Sequence, residues 1–346
     1  MTQLWSPVSC RRHHLEITSA RGLVVPAVSR ARRRPLWICL ALLLVLASGA
    51  AAQAPDSEPS GAKPLADQEP ITPIPPPPAA EPRKLALGER LFGDHRLSAD
   101  GKLACSSCHD LRTNGAGGGQ TVAHDGSKPP FDTLTVFNAA LNFRMNWEGN
   151  FRDLGAHVES SLENPVNMRT SVDEVLRKLN ADPQMVQQFR ATYGRTPDRA
   201  SFLDALTTFE RSLLTPGSRF DRWLGGEASA LSPGELAGYQ LFKSLGCSSC
   251  HQGVNVGGNL FERQGVFRPL VPGKPEIVRV PSLRNVATTP PYFHDGSAPT
   301  LEEAVRKMAA AQLDRTLTDQ QVDSLVAFLK TLTGTYRGRA VVGASQ

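Results

Sequence analysis

The chain has 346 residues, room for about two domains, with 40% hydrophobic but only 6% aromatic residues. That composition excludes a collagen-like or wholly disordered chain, and six cysteines are too few for a disulfide-built scaffold of this size. The net charge of +5 does not signal nucleic acid: residues 1–54 carry seven arginines against Glu16 alone, and the remainder is near neutral with 31 basic and 32 acidic residues.

Residues 1–54 read as an export signal. Arg30 to Arg34 form a basic flank, Leu36 to Ala52 an apolar run of 17 residues, and Ala50 to Ala54 a small-residue exit with cleavage expected near Ala52 or Ala54. The run falls short of the roughly 20 residues that span a bilayer, so a cleaved signal is favoured over a retained anchor. The segment before the run is long for a basic flank, which leaves open a start codon further in. Cys10 and Cys39 are expected to leave with the leader. Residues 55–82, rich in proline through Pro75 to Pro78, read as a disordered tether without chemistry.

The folded part is expected over residues 83–339, as two units divided at about 225/226. In each, an amphipathic stretch ending in Leu-Phe (Leu91-Phe92, Leu241-Phe242) leads into a cysteine pentapeptide. Helices dominate the reading. Ser171-Val172-Asp173-Glu174, Ser232-Pro233-Gly234-Glu235 and Thr318-Asp319-Gln320-Gln321 are capping-box signatures before apolar-periodic runs. A helix from about Ser201 to Leu214 carries Phe202, Leu206, Phe209 and Leu213 on one side, another covers about Leu301 to Ala311, and Gly334 is expected to close the last one. Gly115 to Gly119 and Asn255 to Gly258 are too irregular for strands.

The pentapeptides Cys105-Ser106-Ser107-Cys108-His109 and Cys247-Ser248-Ser249-Cys250-His251 are C-x-x-C-H, the attachment signature of c-type haem. Two thiols reach the vinyl groups and the adjacent imidazole meets the iron. A thioredoxin-like redox pair would want a βαβ setting, and a zinc site a further C-x-x-C nearby; neither is present. Two covalent haems also explain how so few aromatics fill two cores.

Beyond His251 the chain offers one methionine, Met308, and one histidine, His294, so the second iron has Met308, His294, a weaker ligand or nothing at its sixth position. A thioether there raises the potential and makes this haem an electron store. The first iron has His95, His124, His157, Met145, Met168 and Met185 as candidates, and His124 follows a glycine-rich stretch able to bring it to the iron.

Further motifs are Thr135-Val136-Phe137-Asn138-Ala139-Ala140-Leu141-Asn142, Trp147-Glu148-Gly149, Asn164-Pro165-Val166-Asn167-Met168, Phe209-Glu210-Arg211 and Pro291-Tyr292-Phe293-His294-Asp295-Gly296. From about Lys84 to Leu332 the sequence resembles the bacterial diheme cytochrome c peroxidase family, which includes the maturation enzymes for tryptophan tryptophylquinone. The resemblance implies an all-α fold of two cytochrome c-like domains in tandem with long irregular loops, an N-terminal peroxidatic, low-potential one (83–225) and a C-terminal electron-transfer, high-potential one (226–339). It makes His109 and His251 proximal ligands, Met308 the distal ligand of the high-potential haem and His124 the displaceable distal ligand of the peroxidatic one. Trp147 corresponds to the tryptophan between the haems, an electron bridge or a buried aromatic anchor. A calcium ion is implied at Asp132 and the carbonyls of Thr289 and Pro291, with Asp132 in place of the usual asparagine.

One departure matters. Where the family has a catalytic glutamate, this chain has Asn167, and an amide cannot shuttle the peroxide proton. His157 stands where the family has glutamine and can titrate near neutral pH; the alternative is a histidine without a chemical role. Glu159 and Glu163 are weaker candidates. The implied activity is periplasmic reduction of hydrogen peroxide with electrons from a small cytochrome c or cupredoxin. The alternatives are a diheme oxidase acting on a protein partner, where a tyrosine ligates the second haem, and a non-catalytic diheme electron carrier. Nucleic acid is not an expected partner, and the oligomeric state stays open, a homodimer being one alternative.

Overall fold

The computed structural model describes residues 68–117, 126–127, 129, 131–271, 273 and 275–344; the expected leader, most of the expected tether and His124 lie outside them. The fold is mostly helical. In chain order come α1 (Pro82–Phe92), the single-turn α2 (Cys105–Cys108), α3 (Leu154–Glu163), α4 (Val172–Asn180), α5 (Pro183–Tyr193), α6 (Arg199–Ser212), α7 (Arg219–Leu224), α8 (Pro233–Ser244), α9 (Leu301–Leu313) and α10 (Asp319–Lys330). Two small antiparallel pairs, which the sequence reading did not anticipate, join β1 (Phe261–Arg263) to β2 (Ile277–Arg279) and β3 (Thr335–Tyr336) to β4 (Arg339–Ala340).

The caps form largely as the sequence dictates. Ser232 with Glu235 and Thr318 with Gln321 close reciprocal capping boxes. At α4, Ser171 accepts the Glu174 N–H, but the Glu174 carboxylate turns to Arg177 at 2.7 Å instead of back to the cap.

Two hydrophobic clusters organise the fold, and they repeat one device. In the first, α1 crosses α6 so closely at Gly88 that a Cβ there would lie 2.1 Å from the Ala205 carbonyl oxygen; Leu91, Phe92, Leu206 and Phe209 fill the contact. In the second, α8 crosses α10 at Gly238, where a Cβ would lie 2.0 Å from the Ser324 oxygen, beside Phe242 and Phe328. Side chains larger than hydrogen would force each pair of helices apart. The second crossing leads directly into its pentapeptide and the first reaches its own past a 3-10 turn at His95–Leu97; Cys105 packs on the first cluster and Cys247 on the second, so each core positions one C-x-x-C-H.

Two expectations change here. The proline-rich segment is not a bare tether throughout: Ile71 and Ile74 are buried, Ile71 within the second cluster. Gly253 N–H donates to Pro70 O at 2.8 Å, and Glu69 receives hydrogen bonds from Tyr239 and Lys243. Isolated isoleucines among prolines carry no periodicity, and their burial depends on a surface distant in sequence. Gly334 does not close α10, which ends at Lys330. It lets two segments touch, since a Cβ there would lie 1.9 Å from the Thr215 oxygen.

Arg284 and Asp221 form a buried ion pair at 2.7 Å, and the guanidinium also donates to Val254 O and Thr72 O, so it joins the N-terminal strap to the loop after the second pentapeptide. Removing one partner strands a buried charge. Asp221→Ala is therefore expected to cost about 3–5 kcal/mol, read as a lower midpoint in urea unfolding of the holoprotein.

Candidate haem site

A cavity of about 950 Å³ lies between the two clusters, and both pentapeptides line it. Cys105 and Cys108 enter on α2, after α1 has packed on α6. Cys247 and Cys250 follow α8 in a tight turn opened by Gly246 at φ 88°. Burial raises all four thiols, Cys105 to about 12 and Cys247 to about 11. Redox-active and zinc-binding thiols need the opposite shift.

The two histidines are held alike. Nδ1 of His109 donates to the Gly115 carbonyl at 3.0 Å and Nδ1 of His251 to that of Val256 at 3.2 Å. Each ring thereby keeps Nε2 for a metal, the usual arrangement of a ligating imidazole. Burial lowers both, His251 to about 4, so they stand neutral and ready to coordinate. Gly257, at φ 132°, lets the second loop pass His251: a Cβ there would lie 2.2 Å from Pro281 O. Arg279, 2% exposed and without a carboxylate partner among the described residues, offers a charge that suits a haem carboxylate. Two C-x-x-C-H loops, two oriented imidazoles and one apolar cavity fit two covalent haems.

Every expected site residue among the described ones reaches this cavity: His157, Asn167, Trp147, Met308, Asp132, Thr289 and Pro291 all line it. Trp147 Nε1–H donates to Asp132 O at 2.9 Å, and Asp132 N–H donates to His294 O at 2.7 Å. Asn114, fully buried, donates to Thr288 O, so the loop after the first pentapeptide is tied to the segment that carries Thr289 and Pro291. His294 is buried against Phe131 and Trp147, with ring centroids 5.7 and 6.2 Å away. Asn167 sits on the turn after α3, at the solvent edge.

Of the other sequence candidates, His95, Met185, Glu159 and Glu163 fall away from the cavity. His95 is exposed and pairs through Nδ1 with Lys102 O. Met185 is fully buried in the first cluster. Glu159 pairs with Arg199 at 2.6 Å, and Glu163 is exposed at the end of α3. Met145 and Met168 do line the cavity. The sequence reading gave no role to Glu210, a half-buried carboxyl on the wall beside Cys105 that burial pushes up to about 8. Its position one residue past the core-facing Phe209 was the available signal.

Comparison with known proteins agrees with this geometry. Residues 82–229 match the family model described as di-haem cytochrome c peroxidase, and residues 236–333 match the cytochrome c model. The chain is 39% identical over 289 residues to the cytochrome c551 peroxidase of Nitrosomonas europaea, covering 78% of this chain and 86% of that protein. It belongs to the di-haem cytochrome c peroxidase family. It is 38% identical over 287 residues to the cytochrome c peroxidase Ccp of Escherichia coli, covering 78% of this chain and 62% of that longer protein. Among solved structures, a MauG-like protein associated with microbial copper homeostasis aligns with TM-score 0.64 at 27% identity, over 76% of this chain and 93% of that one. As a di-haem peroxidase the chain is an oxidoreductase of hydrogen peroxide that carries haem c and draws electrons from a redox partner. Its fold is that of two cytochrome c-like domains. Tyr336 is no candidate for ligating the second haem: its ring packs on Phe137, 4.9 Å between centroids, against the first cluster.

Proposed function

We propose that electrons enter this peroxidase at the second site, ligated by His251 and Met308, and that peroxide is cleaved at the first, ligated by His109. The observation that carries this reading is the single cavity walled by both C-x-x-C-H loops, with Trp147 on the wall they share. The division into two domains belongs to the same reading, with α7 on the C-terminal side because Phe220, Trp223 and Leu224 pack in the second cluster, and so does an electron path through Trp147, whose indole N–H is fixed on Asp132 O. Bound here, haem c supplies electron storage at one site and, at the other, the iron that cleaves the O–O bond.

The chain's own residues supply the rest. His157, which burial pushes down to about 4, stands neutral at pH 7 and receives the peroxide proton. Asn167 supplies a hydrogen bond at the rim and no proton transfer. His124, 15 residues after His109, is assigned as the displaceable ligand of the first iron from its place in the sequence. Asp132 with the carbonyls of Thr289 and Pro291 offers oxygen ligands for one calcium ion, and the hydrogen bonds linking these segments support that placement. The electron donor is a small cytochrome c or cupredoxin, and the enzyme works in the periplasm. The apolar run at Leu36 to Ala52 supports export, and no helix among the described residues is long and apolar enough to cross a membrane.

Stopped-flow mixing with hydrogen peroxide tests this reading. The half-reduced enzyme is expected to react and the fully oxidised enzyme not, with a pyridine haemochrome assay giving two haems per chain. A half-reduced enzyme inert to peroxide would make the chain an electron carrier.

A further inference from the structure

His157 does not stand alone on the cavity wall. Its Nε2 lies 2.7 Å from Asn146 Oδ1, and its ring meets the edge of Phe151 with centroids 5.6 Å apart at 62°. An amide oxygen only accepts hydrogen bonds, so the ring nitrogen facing it carries the proton; a neutral imidazole has one N–H, which leaves the lone pair on Nδ1.

Asn146 is itself fixed by its surroundings. Its φ of 68° lies in the left-handed region, which asparagine tolerates better than other side chains. Met145 N–H donates to Phe151 O at 2.9 Å, pinning the strand of chain on which Asn146 follows. From β2, in the second half of the molecule, the buried Arg279 donates through Nε to Asn146 O at 3.1 Å, and its backbone N–H donates to Trp147 O at 2.7 Å.

We propose that Asn146 is the positioning residue of the distal base: its side-chain oxygen holds His157 as the Nε2–H tautomer, so that Nδ1 receives the peroxide proton, with Arg279 holding Asn146 in register from the other half. This rests on the reading of His157 as that base. The proton leaves one peroxide oxygen for Nδ1 and returns from Nδ1 to the departing oxygen. His157 is thus neutral again after each turnover, and the further two protons needed for two waters come from solvent, with two electrons from the redox partner. Glu210 stands on the same cavity wall as His157, on α6, which packs against α3. His109 faces His157 from the first pentapeptide, Arg279 reaches it only through Asn146, and on α3 the Asp153 carboxylate accepts the Ala156 N–H while Glu159 pairs with Arg199.

The test uses half-reduced holoenzyme and the association rate of hydrogen cyanide across pH, because the incoming ligand must hand its proton to a distal base. Asn146→Gly removes the acceptor without backbone strain at positive φ. It is expected to keep the haem absorption spectrum and to slow association about 10-fold or more at neutral pH, as loss of an orienting partner does. Asn146→Asp puts a carboxylate on the same N–H and is expected to move the inflection up by about 1–3 pH units. If both variants keep the wild-type profile while His157→Ala loses the inflection, Asn146 has no positioning role. If His157→Ala itself keeps the wild-type profile, the base assignment falls and the positioning role with it.

Discussion

Half-reduced enzyme carrying His157→Ala is expected to consume hydrogen peroxide about 10²–10⁴-fold more slowly than wild type, the range that positioned acid–base groups contribute. Among the cavity-lining residues described near the first site, Asn167 is an amide, Thr135, Ser160 and Ser161 are hydroxyls, Asp132 and Glu148 are carboxyls, and Glu210 is a carboxyl that holds its proton up to about 8; His157 is the imidazole there that meets Asn146 and stands neutral at pH 7. Asn167→Glu in the His157→Ala background returns a titratable group to the rim and is expected to recover part of the rate. The pH profile separates this role from an ordinary imidazole. Burial disfavours the charged form, so His157 stays a proton acceptor well below 6.5, and the rate should hold as pH falls from 8 to about 5 and drop only toward about 4. A rate already falling through pH 6.5, or one untouched by His157→Ala, would remove His157 from the reaction.

How much of this was legible in the sequence depends on how local each cause is. Haem attachment demands two thiols and an imidazole within five residues, so Cys105 to His109 and Cys247 to His251 declare themselves. Capping boxes span four residues, and Ser232 and Thr318 form theirs as read. Asn146 and Arg279 escaped because their meaning is a contact between residues 133 apart in the chain. The β1–β2 pair is three residues a side, too short for alternation to show. Ile71 looked like part of an unpacked proline segment because the cluster that covers it is folded from residues far downstream. Gly334 shows the same limit from the other side. Its position after an apolar-periodic run resembles a helix cap, whereas its lack of a side chain serves a close approach to Thr215.

Replacing Met308 with histidine is expected to lower the potential of the second haem by at least about 59 mV, which for one electron is at least tenfold less reduced haem at a fixed donor ratio. Met308 lies on α9 between turns that bury Ala304, Ala309 and Ala311, and is itself half-buried and lines the cavity, which is what the proposed ligation requires. His294, the other candidate, is packed between Phe131 and Trp147, on the segment whose backbone accepts the Asp132 N–H. An imidazole in place of the thioether keeps six-coordination but favours the oxidised iron, so electron entry becomes the slow step. Donor-driven turnover should therefore fall in Met308→His at least tenfold, while enzyme brought to the half-reduced state chemically should still react with peroxide at the first site, because His157 and Asn146 are untouched. Redox titration followed at the haem absorption bands reads the first effect and stopped-flow mixing the second. A potential unchanged in Met308→His but lowered in His294→Ala would transfer the ligand role to His294.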